Sequence, residues 1–194
     1  VELLYENRGD RTFDAIILPG SGSTIGSPAA ADYDNDGDLD LFVTFGVGQC
    51  QLLRNDGAGS FELVTDVEPV LEPGRTTNAA WGDYDNDGWV DLMVSRLGFY
   101  AKDSDNNDSL FRNRGDGTFE RVDAGSVTRD AQEGYGCAWG DYDLDGFLDL
   151  VASGSSGTFS RLFHNSGNGN SWLSLRLVGT TSNRRGRNAS AADA

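Results

Sequence analysis

Apolar residues along this chain come in short runs, separated by stretches rich in Asp, Asn and Gly, and the same order of runs returns several times. In the clearest copy, residues 77–81 are small and apolar and an acidic loop follows. Residues 91–95 form a second apolar run, and 109–111 lead into an Asn-x-Gly-x-Gly turn. Residues 119–122 close the unit. Runs this short, bounded by turn residues, predict β-strands, and an Asn/Gly turn between two of them predicts a hairpin. No window sustains the ~3.6-residue apolar period of an amphipathic helix, so almost no helix is expected.

Two motifs alternate along the chain. The first reads A-D-Y-D-N-D-G-D-L-D-L-F-V from Ala31, G-D-Y-D-N-D-G-W-V-D-L-M-V from Gly82, and G-D-Y-D-L-D-G-F-L-D-L-V-A from Gly140. The second is E-N-R-G-D-R-T-F ending at Phe13, R-N-D-G-A-G-S-F ending at Phe61, and R-N-R-G-D-G-T-F ending at Phe119. A fourth copy, H-N-S-G-N-G-N-S-W, ends at Trp172 with one extra residue. The first Asp residues, Asp32, Asp83 and Asp141, stand 51 and 58 residues apart, a spacing within the range of propeller blades and solenoid repeats. The fold class expected is all-β: a partial β-propeller of four-stranded antiparallel blades, about three and a half of them. Residues 1–18 supply the closing hairpin of a preceding blade, and 27–66, 76–123 and 136–178 supply full blades within a repeat region of 1–178. A closed ring typically takes about four to eight blades. The expectation is therefore an open arc, a fragment of a larger propeller, or a ring completed by further blades of a parent chain or by self-association.

The first motif has the form D-x-D-x-D-G-x-x-D, and each position has a task at a cation site. Positions 1, 3 and 5 of a tight loop point at one centre: Asp32, Asp34, Asp36; Asp83, Asp85, Asp87; Asp141, Asp143, Asp145. Position 6 is glycine each time (Gly37, Gly88, Gly146), as a sharp turn requires. Position 7 (Asp38, Trp89, Phe147) varies freely if only its carbonyl coordinates, and position 8 (Leu39, Val90, Leu148) is apolar and would pin the loop to the core. Position 9 returns a carboxylate in Asp40, Asp91 and Asp149. Four carboxylates and a carbonyl make an all-oxygen set suited to Ca²⁺ rather than Mg²⁺, which keeps several waters. The motif offers none of the His and Cys ligands zinc prefers. About three Ca²⁺ ions with equal ligand sets are expected. The alternative is an Asp/Gly-rich turn with no metal, since both residues dominate turns. Three loops keeping Asp at every ligand position argue against it, because unpaired carboxylates crowded together repel. An EF-hand is excluded, as the twelfth positions Val43, Val94 and Ala152 lie inside apolar runs where a Glu would be required.

Charge narrows the partners. Acidic residues number 31 against 15 Lys and Arg, for a formal net charge of −16. Such a surface repels nucleic-acid phosphates and anionic membranes, so no nucleic acid is expected as a partner. No stretch approaches a membrane span. The chain opens on Val1 with no leader pattern, as a mature or cropped piece would, which leaves secretion open. Cys50 and Cys137 sit in strand-like contexts as small apolar residues, and a bridge between them is the less favoured reading.

The alternating motifs resemble the FG-GAP/VCBS repeats, related to the Ca²⁺-binding blades of integrin α-chain propellers, over residues 1 to about 170. The stretch from Trp172 to Gly186 resembles the start of an ASPIC/UnbV domain, as in cartilage-acidic-protein-like proteins. Residues 172–194 overlap the last blade as a truncated form of that segment, and 187–194 lack its glycine-rich apolar continuation. The resemblance implies a secreted, cell-surface or periplasmic protein that binds Ca²⁺ structurally and recognises a protein or glycan ligand, with no catalytic residues to carry over. The rival reading is the propeller part of an extracellular polysaccharide-degrading enzyme. Against it, the chain shows no acyl-transfer constellation, and its one histidine, His164, aligns with Arg54 and Arg112 as a routine repeat position. Tyr33, Tyr84 and Tyr142, with Trp81 and Trp139, read as packing between blades rather than sugar platforms. The R-G-D tripeptides at Arg8 and Arg114 fall in hairpin turns that demand such residues. The acidic run from Asp103 to Asp108 lacks the glycine and apolar anchor of the loops. Arg184, Arg185 and Arg187 form a small basic tail.

Overall fold

The Asp- and Gly-rich breaks become the corners of antiparallel sheets in the computed structural model, which describes residues 2–20, 24–72, 74–96, 107–129, 134–154 and 159–170. Strands β1 (Glu2–Asn7) and β2 (Phe13–Leu18) form a two-stranded ribbon. The next sheet is a meander of β3 (Thr24–Ala31), β4 (Asp40–Val47), β5 (Gln51–Asn55) and β6 (Phe61–Val64). A second meander follows with β7 (Thr76–Gly82), β8 (Asp91–Arg96), β9 (Ser109–Asn113) and β10 (Phe119–Val122). The last sheet holds β11 (Gly134–Gly140), β12 (Asp149–Gly154) and β13 (Arg161–Phe163). Among the described residues two single-turn helices, α1 (Glu68–Leu71) and α2 (Ser126–Arg129), lie in the connections between sheets. All strand pairs are antiparallel. The opening strands β3, β7 and β11 are neighbours, so successive sheets stand side by side as blades around a common inner edge. This is the all-β, open-arc architecture expected.

Both faces of the two middle blades are buried, which explains why their strands read as unbroken apolar runs instead of alternating ones. Along β8, Leu92 and Val94 face the preceding sheet, joining Phe42, Leu52 and Phe111 in one core. Met93, between them, faces the following sheet and meets Leu110 and Leu150 in another. In β4 and β5, Val43, Phe45 and Leu53 turn toward the ribbon and pack with Leu18. Each strand thus serves two cores through its period of two.

Inter-blade contacts repeat in register. The Trp81 indole N–H donates to the Ala29 carbonyl at 3.3 Å, and that of Trp139 to Ala80 at 3.1 Å. Tyr33 stacks on Trp81 with centroids 6.2 Å apart, and Tyr84 on Trp139 at the same distance. Tyr33, Tyr84, Trp81 and Trp139 are therefore packing residues. Tyr33 is 5% exposed, whereas Tyr142, with no such ring beside it among the described residues, is 56% exposed. Val151 and Leu162 of the last sheet are likewise exposed on that side. Cys50 and Cys137 are separate free thiols, and burial raises both, Cys137 to about 12. Residues 171–178 of the last expected blade, the segment 172–194 with its basic tail, and residues 103–106 of the acidic run lie outside the described residues.

Candidate metal centre

Each acidic loop joins the first two strands of a blade, and its own carboxylates shape it. Position 1 accepts two backbone N–H groups: Asp32 from Asp36 and Gly37, Asp83 from Asp87 and Gly88, Asp141 from Asp145 and Gly146, all at 2.9–3.1 Å. Position 5 accepts the N–H of position 7: Asp36 from Asp38, Asp87 from Trp89, Asp145 from Phe147. Position 9 is fully buried and spans two elements. Asp40 accepts from Tyr33 in its own loop at 3.2 Å and from Asn55 in the hairpin at 2.8 Å. Asp91 does the same with Tyr84 and Asn113, and Asp149 with Tyr142 and Asn165. Burial pushes Asp40 up to about 6 and Asp91 up to about 7, against backbone donors that favour the charged form.

Turn formation thus accounts for positions 1, 5 and 9, and in the third loop Asp143 at position 3 also accepts the Asp145 N–H at 3.3 Å, but it does not account for position 3 of the first two loops. Asp85 is 8% exposed, and its Oδ1 is buried with no hydrogen-bond partner. Asp34 Oδ1 is buried and unpartnered in the same way. Burial, then the neighbouring carboxylates Asp36 and Asp87 respectively, raise both groups above the ordinary carboxylate range. A buried carboxylate oxygen facing other carboxylates is costly unless a cation completes it.

The carboxylates converge as the motif predicts, though with unequal membership. Oxygens of Asp32, Asp34 and Asp36 lie within 4.8 Å of one another in the first loop, Asp83, Asp85 and Asp91 in the second, and Asp141, Asp143 and Asp149 in the third. Such groups fit a hard divalent cation coordinated by oxygen. Asp40 is not in the first group, and Asp87 is not in the second. The carboxylates that converge thus differ in membership from loop to loop.

Two readings of the variable positions change. Position 7 is not free: a Cβ on Gly57, Gly115 or Gly167 would run into the side chain of Asp38, Trp89 or Phe147. The hairpin glycine is what lets position 7 lie across the turn. Position 8 does not anchor every loop, since Val90 packs against the core while Leu39 is exposed. In both R-G-D turns the Asp closes the turn, Asp10 accepting from Thr12 and Asp116 from Thr118.

A family model for the FG-GAP-like repeat matches residues 3–43, 39–94 and 99–152. The chain belongs to the FG-GAP-like repeat family. Among curated proteins it is similar to cartilage acidic protein 1 of Xenopus tropicalis, 27% identical over 77% of this chain and 24% of that protein. It is also similar to the human protein of that name, 27% identical over 88% and 27%, and the mouse one, 25% identical over 88% and 28%. The chain spans about a quarter of the length of these relatives.

The three loop-bearing FG-GAP-like blades are linked through asparagines of the loops and hairpins. Asn35 of one loop donates to the Gly88 carbonyl of the next at 3.1 Å, and Asn86 to Gly146 at 2.9 Å. Hairpin asparagines reach back, Asn113 to the Tyr33 carbonyl and Asn165 to that of Tyr84, both at 2.7 Å. The residue before each hairpin Asn makes a different contact in each blade. Arg54 turns to Glu62 at 2.5 Å. Arg112 reaches Asp85 at 2.9 Å and Asp87 at 2.8 Å. His164 Nε2 lies 2.9 Å from Asp143 Oδ2 and 3.8 Å from Asp145 Oδ2. The strict alternation of the two motifs was the available signal, because it fixes one such residue in each blade.

Proposed function

We propose that the chain is a Ca²⁺-binding, non-catalytic recognition module, with the metal structural and a protein or glycan ligand held by the propeller surface. The observation that carries the metal is the pair of buried, unpartnered position-3 oxygens, Asp34 Oδ1 and Asp85 Oδ1, each inside a group of converging carboxylates. Ca²⁺ would be held by Asp32, Asp34 and Asp36, by Asp83, Asp85 and Asp91, and by Asp141, Asp143 and Asp149. Asp40, Asp87, Asp145 and the position-7 carbonyls of Asp38, Trp89 and Phe147 complete the candidate donor set. Six positive charges from three ions would bring the net charge from −16 to −10, still acidic. Sites of this kind fill where Ca²⁺ is plentiful, which supports an extracellular, cell-surface or periplasmic placement. Among the described residues no helix is long and apolar enough to cross a membrane.

Calorimetric titration tests the metal. The full chain should take up about three Ca²⁺ ions with Kd between about 10⁻⁷ and 10⁻³ M, spanning sensor and extracellular sites. Asp34→Ala and Asp85→Ala should each lose one ion and keep the others. Folded protein that takes up no Ca²⁺ at millimolar concentration overturns the reading.

A further inference from the structure

The third acidic loop faces a different chemical group from the other two. Its partner from the hairpin is an imidazole, where the equivalent positions carry guanidinium groups. Asp143, Asp145 and His164 each offer one atom, all within 4.8 Å of one another. Resting on the reading of the loops as cation sites, we propose that the third, besides Ca²⁺, also accepts a divalent transition ion of the Zn²⁺ class in a mixed nitrogen–oxygen set, with His164 Nε2 as the nitrogen ligand.

Geometry and chemistry both support the assignment. Two ligands about 2.0–2.2 Å from one zinc ion lie roughly 3–3.5 Å apart. The Nε2 separations of 2.9 Å from Asp143 and 3.8 Å from Asp145 bracket that spacing. The far ring nitrogen, Nδ1, lies 3.4 Å from Ser166 Oγ, a contact that orients the ring and directs Nε2 at the carboxylates. Histidine ligands are commonly held through the second nitrogen in this manner. The Tyr142 ring meets the imidazole edge-on with centroids 6.0 Å apart, fixing it from another side. Imidazole favours Zn²⁺, Cu²⁺, Ni²⁺ and Fe, whereas carboxylate and carbonyl oxygens alone suit Ca²⁺, Mg²⁺ and Mn²⁺. Arginine has no lone pair to give, so Arg54 and Arg112 cannot play this part. Arg112 instead places its own positive charge on Asp85 and Asp87. Asp143 and His164 are both exposed, so an ion can reach the site from solvent.

Cobalt(II) is the probe, read by proton NMR of the full chain. Because the chain has one histidine, hyperfine-shifted imidazole signals have one source. The Co²⁺-loaded protein should show one such set. His164→Gln should abolish it and weaken Co²⁺ and Zn²⁺ binding by at least about tenfold, the loss expected even of a weaker supporting group. Ca²⁺ uptake measured separately should persist in that variant. Arg112→His should create a second set of shifted signals from the second loop. Co²⁺ binding with an unshifted imidazole, or unchanged Co²⁺ affinity in His164→Gln, overturns the proposal. If Ca²⁺ still fills the loops in that case, only the role of His164 falls; if neither ion binds, the cation reading falls with it.

Discussion

A buried carboxylate needs a reason, and the two kinds found here have different ones. Asp91 is fully buried and joins Tyr84 of its loop to Asn113 of the hairpin through its two oxygens. Removing it strands two backbone donors, and hydrogen bonds to charged groups are worth about 1.5–3 kcal/mol each. Asp91→Ala should therefore destabilise the metal-free protein by roughly 3 kcal/mol or more. Urea unfolding in excess chelator reads this; an unchanged midpoint would mean that position 9 serves only a metal. Asp108, outside the loops, is buried and accepts the Arg96 N–H at 2.9 Å. Burial pushes it up to about 6 from an ordinary value of 3.8. The folded state therefore holds this proton more tightly than the unfolded chain does. Its contribution is fully present below pH ~4 and is lost as the pH rises to ~6, at most ~3 kcal/mol at 1.36 kcal/mol per pH unit. Asp108→Asn should remove that fall, gaining on the wild type as unfolding is measured from pH 4 to pH 7. Parallel curves for the two proteins would refute the assignment.

At the scale of the hairpin and the loop, repetition exposes where one copy breaks a backbone rule. The second turn position that is glycine in Gly59, Gly117 and Gly169 is Arg11 in the first hairpin, at φ 77°. The loop position filled by Asn35 and Asn86 at φ 56° and 55° is Leu144 at φ 63°. A left-handed backbone costs an ordinary side chain about 1–2 kcal/mol, and Gly and Asn tolerate it best. Arg11→Gly and Leu144→Asn should each raise stability by about 1 kcal/mol in denaturant titrations. A loss in either would show that the side chain makes contacts worth more than the strain. These elements also mark how far the sequence could be read. Strands β7 to β10 fell where the apolar runs and the Asn-Gly turn put them, because turn chemistry is local. The one-turn helices α1 and α2 were invisible, since four residues carry no period. The cover that position 7 lays over the hairpin glycine was equally hidden, because Trp89 and Gly115 meet only after two strands have paired.

The molecule is a stack of units in which the two middle blades bury both faces against neighbours, so its stability is expected to pass from blade to blade. Repeat period and fold class were legible because the motif recurs. The junction bonds from Asn113 to Tyr33 and from Asn165 to Tyr84 were not, because they join residues some eighty positions apart and depend on the angle between blades. The acidic loops lie at these junctions, with Asn35 and Asn86 tying each loop to the next. Charge placed or removed in a loop should therefore act on the stack as a whole. An ion that binds only the folded state stabilises it by about 2.7 kcal/mol per site at a hundred times its Kd. For a chain of this size each kcal/mol is worth about 2–4 °C of Tm. The direct measurement is a melting curve in excess Ca²⁺ and again in excess chelator, at matched ionic strength. Cation-bound loops require Ca²⁺ to raise the midpoint by at least ~5 °C, the yield of a single site at that occupancy. A midpoint that stays in place would mean that the acidic loops are turns held by their own hydrogen bonds, and that no metal belongs to this fold.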